Sequence, residues 1–230
     1  MTVDYSSKVY WEDRLSRESA ADGFEWLVPS DVLIPVVHAA LPDARGTRPL
    51  NLLHFGCGTS SLGIDVQHHL GGGVRVVDSD YASSALRDTQ LDQVPLMEMD
   101  MLSLPSLLKH MPPDGWDVLL DKSTADAISC GPAIPATDTA LDRRVDAIEH
   151  LCHNAARVTR VGGRWICASY SSSRFDFLRS SPERPDRPTT YGWRIIDKVA
   201  LVRHATKTSA DQQVVYHPET GIWAWVLERE

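Results

Sequence analysis

No stretch of the chain reaches the ~18 consecutive apolar residues that a membrane-spanning helix needs, which argues against a helical membrane span. Cysteine is scarce as well. Cys57, Cys130, Cys152 and Cys167 stand far apart with no C-x-x-C pair, which argues against a zinc site or disulfide framework and suits a reducing compartment. Positive charge is short: Lys+Arg 23 against Asp+Glu 31 leaves a formal net charge of −8. Bulk electrostatics therefore disfavour nucleic acid, and a basic partner fits better. The N-terminal stretch has no apolar signal core and carries Asp4, Glu12, Asp13 and Glu18, unlike an Arg-rich transit peptide. The expectation is a cytoplasmic protein, with a nuclear share open. Internal repeats, low-complexity tracts and interdomain linkers are also missing. Among nine histidines, His68-His69 and His150/His153 have no acidic third ligand at metal spacing, so no metal site is expected.

What remains is an ordinary globular composition, 43% hydrophobic and 23% charged over 230 residues. A single domain of that size buries roughly 70–75% of its unfolded surface. Apolar, β-rich runs lie at Leu50–Phe55, Val74–Val77, Val94–Met99, Trp116–Leu120 and Arg164–Ser169, with helix-compatible stretches between most of them. Alternation of this kind predicts βαβ units with right-handed crossovers. Trp193–Leu201 and Ile222–Leu227 follow without a convincing helix between them, so a hairpin-like antiparallel ending is expected. The predicted fold is α/β: a doubly wound, mostly parallel seven-stranded Rossmann-like sheet with an antiparallel C-terminal strand and helices on both faces. Tyr10–Glu18 and Val32–Leu41 look helical, the second capped by Ser30 or Asp31, and both could lid the sheet. Ser171–Thr190, with Pro182, Pro185 and Pro188, reads as a long polar loop.

The chemistry concentrates at NLLHFGCGTSSLG, where a strand ends at Phe55 and a helix should begin near Thr59 to Ser61. Gly56 and Gly58 allow a tight turn whose N–H groups approach a ligand closely. A lone G-x-G also suits a plain strand-to-helix turn. The second strand, however, ends in Asp78 and Asp80, and an acid about 20 residues beyond such a turn accepts ribose hydroxyls. Asp80 is preferred because it directly precedes Tyr81 and the following helix. The third strand ends Met99-Asp100-Met101, suited to an adenine edge and ring, and the fourth ends DVLLDKSTADA with Asp121 at the carboxyl edge. Singly, each acid reads as a solvated strand end or a helix cap. Jointly, they favour a nucleoside site.

With these residues assembled, the chain resembles the class I (seven-strand) S-adenosylmethionine-dependent methyltransferases. More specifically, it resembles the protein-lysine methyltransferase subgroup that includes enzymes acting on translation elongation factor 1A and on citrate synthase. The matching segments are YWEDR (Tyr10–Arg14), FEW (Phe24–Trp26), GCGTSSL (Gly56–Leu62), DY (Asp80–Tyr81), MDM (Met99–Met101), DKSTADA (Asp121–Ala127), SYSSSRF (Ser169–Phe175) and YGW (Tyr191–Trp193). DKSTADA is the most specific, although Ser123 stands where the subgroup usually has glycine; His54 before the G-x-G and the extra Asp78 also depart from the pattern. The resemblance implies one methyltransferase domain over 1–230: an N-terminal helical lid (1–48), a cofactor-binding core (49–170) and a substrate-side loop with C-terminal strands (171–230). It implies S-adenosylmethionine as cofactor, with Gly56, Cys57 and Gly58 against its methionyl part. Asp80 would bind ribose, Tyr81 pack on adenine, and Asp100 and Met101 bind the adenine edge. Asp121 would lie beside the methionine amino group, with Arg14 and Trp26 contributing from the lid.

Methyl transfer from a sulfonium needs alignment rather than a metal or a covalent intermediate. A lysine acceptor, with a reference pKa of ~10.4, must lose its proton before it attacks. Tyr170, Tyr191, Trp26 and Trp193 are candidate walls for that amine, and Asp126, with Asp121, a candidate catalytic carboxylate. Trp193 before Arg194-Ile195-Ile196 also reads as sheet core, Lys122 as a structural ion pair, and Cys57 as a small residue in a tight turn. The implied partner is a protein with an exposed lysine or terminal amine, such as a translation factor, with no nucleic acid or membrane. A small-molecule N- or O-methyltransferase is the alternative, and a catalytically idle cofactor-binding subunit a third reading. The absence of a D/N-P-P-Y/F signature argues against methylation of bases or glutamine.

Overall fold

The computed structural model describes residues 3–17, 25–43, 48–86, 94–135, 144–179, 191–203 and 221–230. Seven strands form the main sheet: β1 (Leu50–Phe55), β2 (Val74–Asp80), β3 (Leu96–Glu98), β4 (Trp116–Lys122), β5 (Thr159–Ser169), β6 (Trp193–Arg203) and β7 (Gly221–Arg229). Their spatial order is β3-β2-β1-β4-β5-β7-β6. The first five are parallel, and β7 runs antiparallel to both β5 and β6. The central strands read as nearly continuous apolar runs because helices cover both of their faces: every residue of β4 is buried.

Among the described residues six α-helices surround the sheet: α1 (Lys8–Arg17), α2 (Ser30–Ala40), α3 (Leu62–Leu70), α4 (Leu104–His110), α5 (Thr124–Ser129) and α6 (Ala147–Val158). On one face α2 and α3 bring Leu33, Val37, Leu62 and Val66 onto Leu52, Val118 and Ile166. On the other, α4, α5 and α6 bring Leu107, Ala125 and Leu151 onto Phe55, Leu119 and Trp165. The doubly wound, seven-stranded fold expected from the alternation of runs is therefore the one observed.

Several expectations are corrected in detail. Helix α2 is part of the core rather than a lid, and Pro29 holds its N-cap position with no side-chain cap bond. Ser30 is instead its buried first residue, while Asp31 sits in the first turn, where a carboxylate favours the helix dipole. Helix α3 starts at Leu62, after Ser61. Strands β2 and β4 run on into Asp80 and Lys122, because their polar ends are buried at the sheet edge rather than turned into solvent. Of the expected polar loop, 171–179 include a short 3-10 turn at Asp176–Leu178, and 180–190 lie outside the described residues.

Register decides what the fold presents. Phe55 is level with Ser79 on one side and Asp121 on the other, and Asp80 with Glu98. The carboxyl ends of β1 to β4 thus meet along one edge, where doubly wound sheets bind ligands. The opposite edge is pinned by buried Asp117. It accepts from Arg48 Nη1 and the Asn51 N–H, each at 2.7 Å, and pairs with Arg160.

Candidate active site

Chain reversal after β1 builds the floor of the site. Gly56 and Gly58 have φ of 61° and 53°, in the left-handed region that suits glycine. The Gly58 N–H donates to Asp80 Oδ2 at 2.9 Å, and the Ala82 N–H to Asp80 Oδ1 at 2.8 Å. One carboxylate therefore clamps both the glycine turn and the turn that follows β2. Burial raises the pKa of Asp80, against the pull of the backbone N–H groups it accepts. Asp78 turns elsewhere: it sits against Gly63 of α3 and takes His54 Nδ1 at 2.9 Å.

The cleft above this floor is lined by Gly56, Cys57, Gly58, Asp80, Tyr81, Met99, Asp100 and Met101, and also by Trp26. Asp100 Oδ1 accepts the Leu102 N–H at 2.9 Å, which fixes the turn after β3. Met99 and Met101 are buried beside it. Burial, followed by the charges of Asp80 and Asp100, raises the phenol pKa of Tyr81. Burial likewise pushes the Cys57 thiol well above its ordinary value, so Cys57 is a small turn residue rather than a nucleophile. Two acids at neighbouring strand ends, a methionine floor and a glycine turn form a donor set that fits an adenosine moiety.

The N-terminal wall is aromatic. Trp11 and Trp26 lie 5.9 Å apart, and Tyr5 lies 6.3 Å from Trp11 and 6.5 Å from Trp26. The Arg14 guanidinium stands over the Trp26 ring, 4.7 Å from its centroid, and donates to the Tyr10 hydroxyl at 3.1 Å. Glu12 ties α1 to the sheet edge by accepting the Ser83 N–H at 2.8 Å and the Ser84 N–H at 3.0 Å.

The DKSTADA element explains itself once folded. Ser123 has a φ of 74°, a conformation in which glycine costs least. That reversal aims Asp121 at the start of α5, where its Oδ1 accepts the Thr124 N–H at 2.8 Å. Asp121 is fully buried; burial first, with the nearby Asp126 adding, pushes its pKa up to about 7. Thr124 lines the cleft, and its hydroxyl reaches the carbonyls of Phe55 and Gly56 at 3.3 and 3.2 Å. Lys122 is buried on the same wall and pairs with Glu25. Burial pushes its pKa down to about 8.

Six expected site residues do not line this cleft. Arg14 is turned onto the Trp26 ring and the Tyr10 hydroxyl behind the aromatic wall. Asp121 is spent on the cap of α5. Asp126 is held by Arg174 at 2.7 Å and by the Tyr170 N–H at 3.1 Å, and also pairs with Ser169. Tyr170 is 54% exposed and faces Arg174. Tyr191 packs on Phe177, with ring centroids 6.2 Å apart. Trp193 is core, 5.5 Å from Trp165, and donates to the Cys152 carbonyl at 2.9 Å. Because β6 lies at the far edge of the sheet beyond β7, its first residues are displaced from the glycine turn. Conversely, Tyr5, Glu25 and Thr124 belong to the site or its rim without having been singled out. Glu25 and Thr124 lie inside FEW and DKSTADA, so the motifs carried that signal, while Tyr5 had none.

Among the described residues no three His, Cys, Asp or Glu side chains come together as a metal site, and no helix is long and apolar enough to cross a membrane. No protein-family profile matches the chain. Methyltransferase srdJ of Neurospora crassa is 31% identical over 193 residues, covering 79% of this chain and 72% of that protein. EEF1A lysine methyltransferase 4 of Bos taurus is 26% identical over 221 residues, covering 94% and 76%. The mitochondrial citrate synthase-lysine N-methyltransferase CSKMT of Danio rerio is 29% identical over 149 residues, 56% of each chain. A structure solved for the conversion of a disulfide bond into a thioacetal group during echinomycin biosynthesis shares the fold. Its TM-score is 0.58 at 16% identity, over 97% of this chain and 93% of that one. N-methyltransferase NodS from Bradyrhizobium japonicum WM9, in complex with S-adenosyl-l-homocysteine, gives 0.51 at 11%, over 96% and 98%. With the glycine turn, the strand-end acids and a relative of this identity and coverage in agreement, the chain belongs to the methyltransferase family of srdJ and is a class I S-adenosylmethionine-dependent methyltransferase.

Proposed function

We propose that the protein methylates the side-chain amine of a lysine in another protein. The observation that carries this reading is similarity to a lysine methyltransferase over 94% of the chain, well beyond the nucleotide core alone. A shared cofactor fold alone would leave the acceptor open. In this reading Asp80 takes the ribose hydroxyls, Asp100 and Met101 the adenine edge, Tyr81 the adenine face, and the Gly56–Gly58 turn the methionyl part. The cofactor supplies a methyl group on a sulfonium, whose departure leaves a neutral thioether.

The protein's own contribution is to align and to dry. Alignment of two bound reactants is worth up to roughly 7–11 kcal/mol in ideal intramolecular cases. The acceptor ammonium must also become neutral, and an apolar wall lowers its pKa by penalising the charged form. Tyr5, Trp11 and Trp26 supply that wall in place of Tyr170, Tyr191 and Trp193. The net charge of −8 favours a basic docking region on the partner, as an exposed lysine of a translation factor would offer. A cytoplasmic location is part of the same reading.

Radiolabelled methyl transfer into cell extract, resolved by size and followed by amino-acid analysis, tests the proposal. Label in methyl-lysine of a protein band is the expected result. Label confined to low-molecular-weight material overturns it in favour of a small-molecule acceptor.

A further inference from the structure

Two motif residues that the reaction has not used meet beside the cleft. Glu25, in the segment just before α2, accepts the Ser60 hydroxyl at 2.9 Å and the Ser61 N–H at 3.0 Å, both at the end of the glycine turn. It also pairs with the Lys122 ammonium, which comes from the end of β4. Lys122 in turn donates to the Val28 carbonyl at 3.3 Å, three residues beyond Glu25. Segment 25–28, which carries Trp26, is thereby stapled at both ends to the turn and to the sheet.

We infer that Glu25 and Lys122 are positioning residues that latch the Trp26 segment over the glycine turn and so hold the cofactor cleft closed. The Lys122 side chain is 2% exposed and that of Glu25 20%, so the pair is shielded from solvent screening on its inner side. A buried ion pair of this kind adds little net stability compared with apolar packing, yet removing one partner leaves the other uncompensated. That asymmetry suits a device selected for geometry. A solvated surface pair would be placed away from the cleft, whereas here Lys122, Ser60 and Trp26 all line it. Such a latch acts on cofactor binding, whatever the identity of the acceptor.

The test uses the full chain and S-adenosylhomocysteine as the probe. Glu25→Ala and Lys122→Met should each weaken binding in calorimetry by about ten-fold or more, the loss expected for a charged hydrogen bond. The double variant should lose clearly less than the sum of the two single losses, because both changes undo the shared ion pair. Lys122→Arg, which keeps the charge, should restore most of the affinity. A second readout separates a latch from a purely structural pair: alkylation by iodoacetamide, located by mass spectrometry. Glu25→Ala should speed labelling of Cys57, in the turn beneath the latch, while Cys152 and Cys167, in the core, stay slow. Unchanged affinity in Glu25→Ala, or equal acceleration of all three thiols, overturns the inference. Should Lys122→Met fail to fold, Glu25→Ala decides alone. Failure here would leave the lysine-acceptor reading intact, since extract labelling measures that separately.

Discussion

Replacing Gly56 by alanine should harm the protein far more than the same change at Gly58, although both glycines have positive φ. An L-residue in the left-handed region costs roughly 1–2 kcal/mol, and that penalty applies at both positions. Space separates them. A Cβ at Gly56 would stand 2.0 Å from Thr124 Oγ1 and 2.6 Å from its Cγ2, whereas the nearest atom to one at Gly58 is Leu15 Cδ2 at 3.6 Å. Thr124 cannot simply swing away, because its hydroxyl is engaged with the carbonyls of Phe55 and Gly56. Overpacking of this kind adds about 1–3 kcal/mol. The expected losses in urea unfolding are therefore about 2–5 kcal/mol for Gly56→Ala and about 1–2 kcal/mol for Gly58→Ala. Adding Thr124→Ala to Gly56→Ala should recover part of the difference, but not all of it, since the Thr124 Cβ itself lies 2.8 Å from the new atom. Equal losses for the two alanines, or strict additivity in the double variant, would refute the packing argument.

Asp80→Ala should weaken S-adenosylhomocysteine binding roughly 10-fold or more and Asp78→Ala much less, because only Asp80 faces the cleft; calorimetry in the reverse order would mean that the ribose carboxylate is misassigned. Ser123→Gly should stabilise the protein by about 1 kcal/mol by relieving its left-handed conformation; a lower urea midpoint would instead show that the side chain makes an offsetting contact. The pH dependence follows from Asp121, whose folded pKa is raised to about 7. Between its ordinary value of 3.8 and about 7 the folded state holds a proton that the unfolded state has lost, so this group's contribution to stability falls as pH rises through that window. Asp121→Asn cannot titrate, and the variant should gain on the wild type between about pH 4 and pH 7 in parallel unfolding curves. A constant gap between the two curves would sink that assignment.

How much of this was legible in the sequence depended on which physical signal each residue carried. Buried parallel strands need apolar side chains on both faces, so LNLLHF and VLL announced β1 and β4 directly. The acids at their ends were legible as a group because the fold brings consecutive carboxyl ends to one edge. Which side of the edge each acid faces was not: Asp121 and Asp80 both lie near the carboxyl ends of strands, yet the left-handed turn at Ser123 aims one at α5, while the other faces the cleft. The aromatic wall is legible only in part, with Trp26 on the cleft and Tyr191 and Trp193 away from it, for a related reason. Trp193 and Tyr191 resemble pocket residues in composition, but the placement of β6 beyond β7 decides where they lie, and strand order at that end leaves no trace in local periodicity. The Glu25 and Lys122 pairing was hidden because each motif was legible alone while their contact is not.

Strand order at that same end has a consequence for how the molecule comes together. β6 precedes β7 in the chain, yet in the sheet it hangs on β7 alone and has no contact ladder with β5. A strand made earlier must therefore wait for a later one to pair with it, and the pair joins the rest of the sheet only when β7 docks beside β5. Pairing across such separations is slow, since loop closure comes before its reward. During that interval Trp193 is denied its place against Trp165, and the core on that face stays open. In pulsed hydrogen exchange during refolding, the amides of Trp193–Arg203 should gain protection no earlier than those of Gly221–Arg229, making β7 the keystone of its end of the sheet.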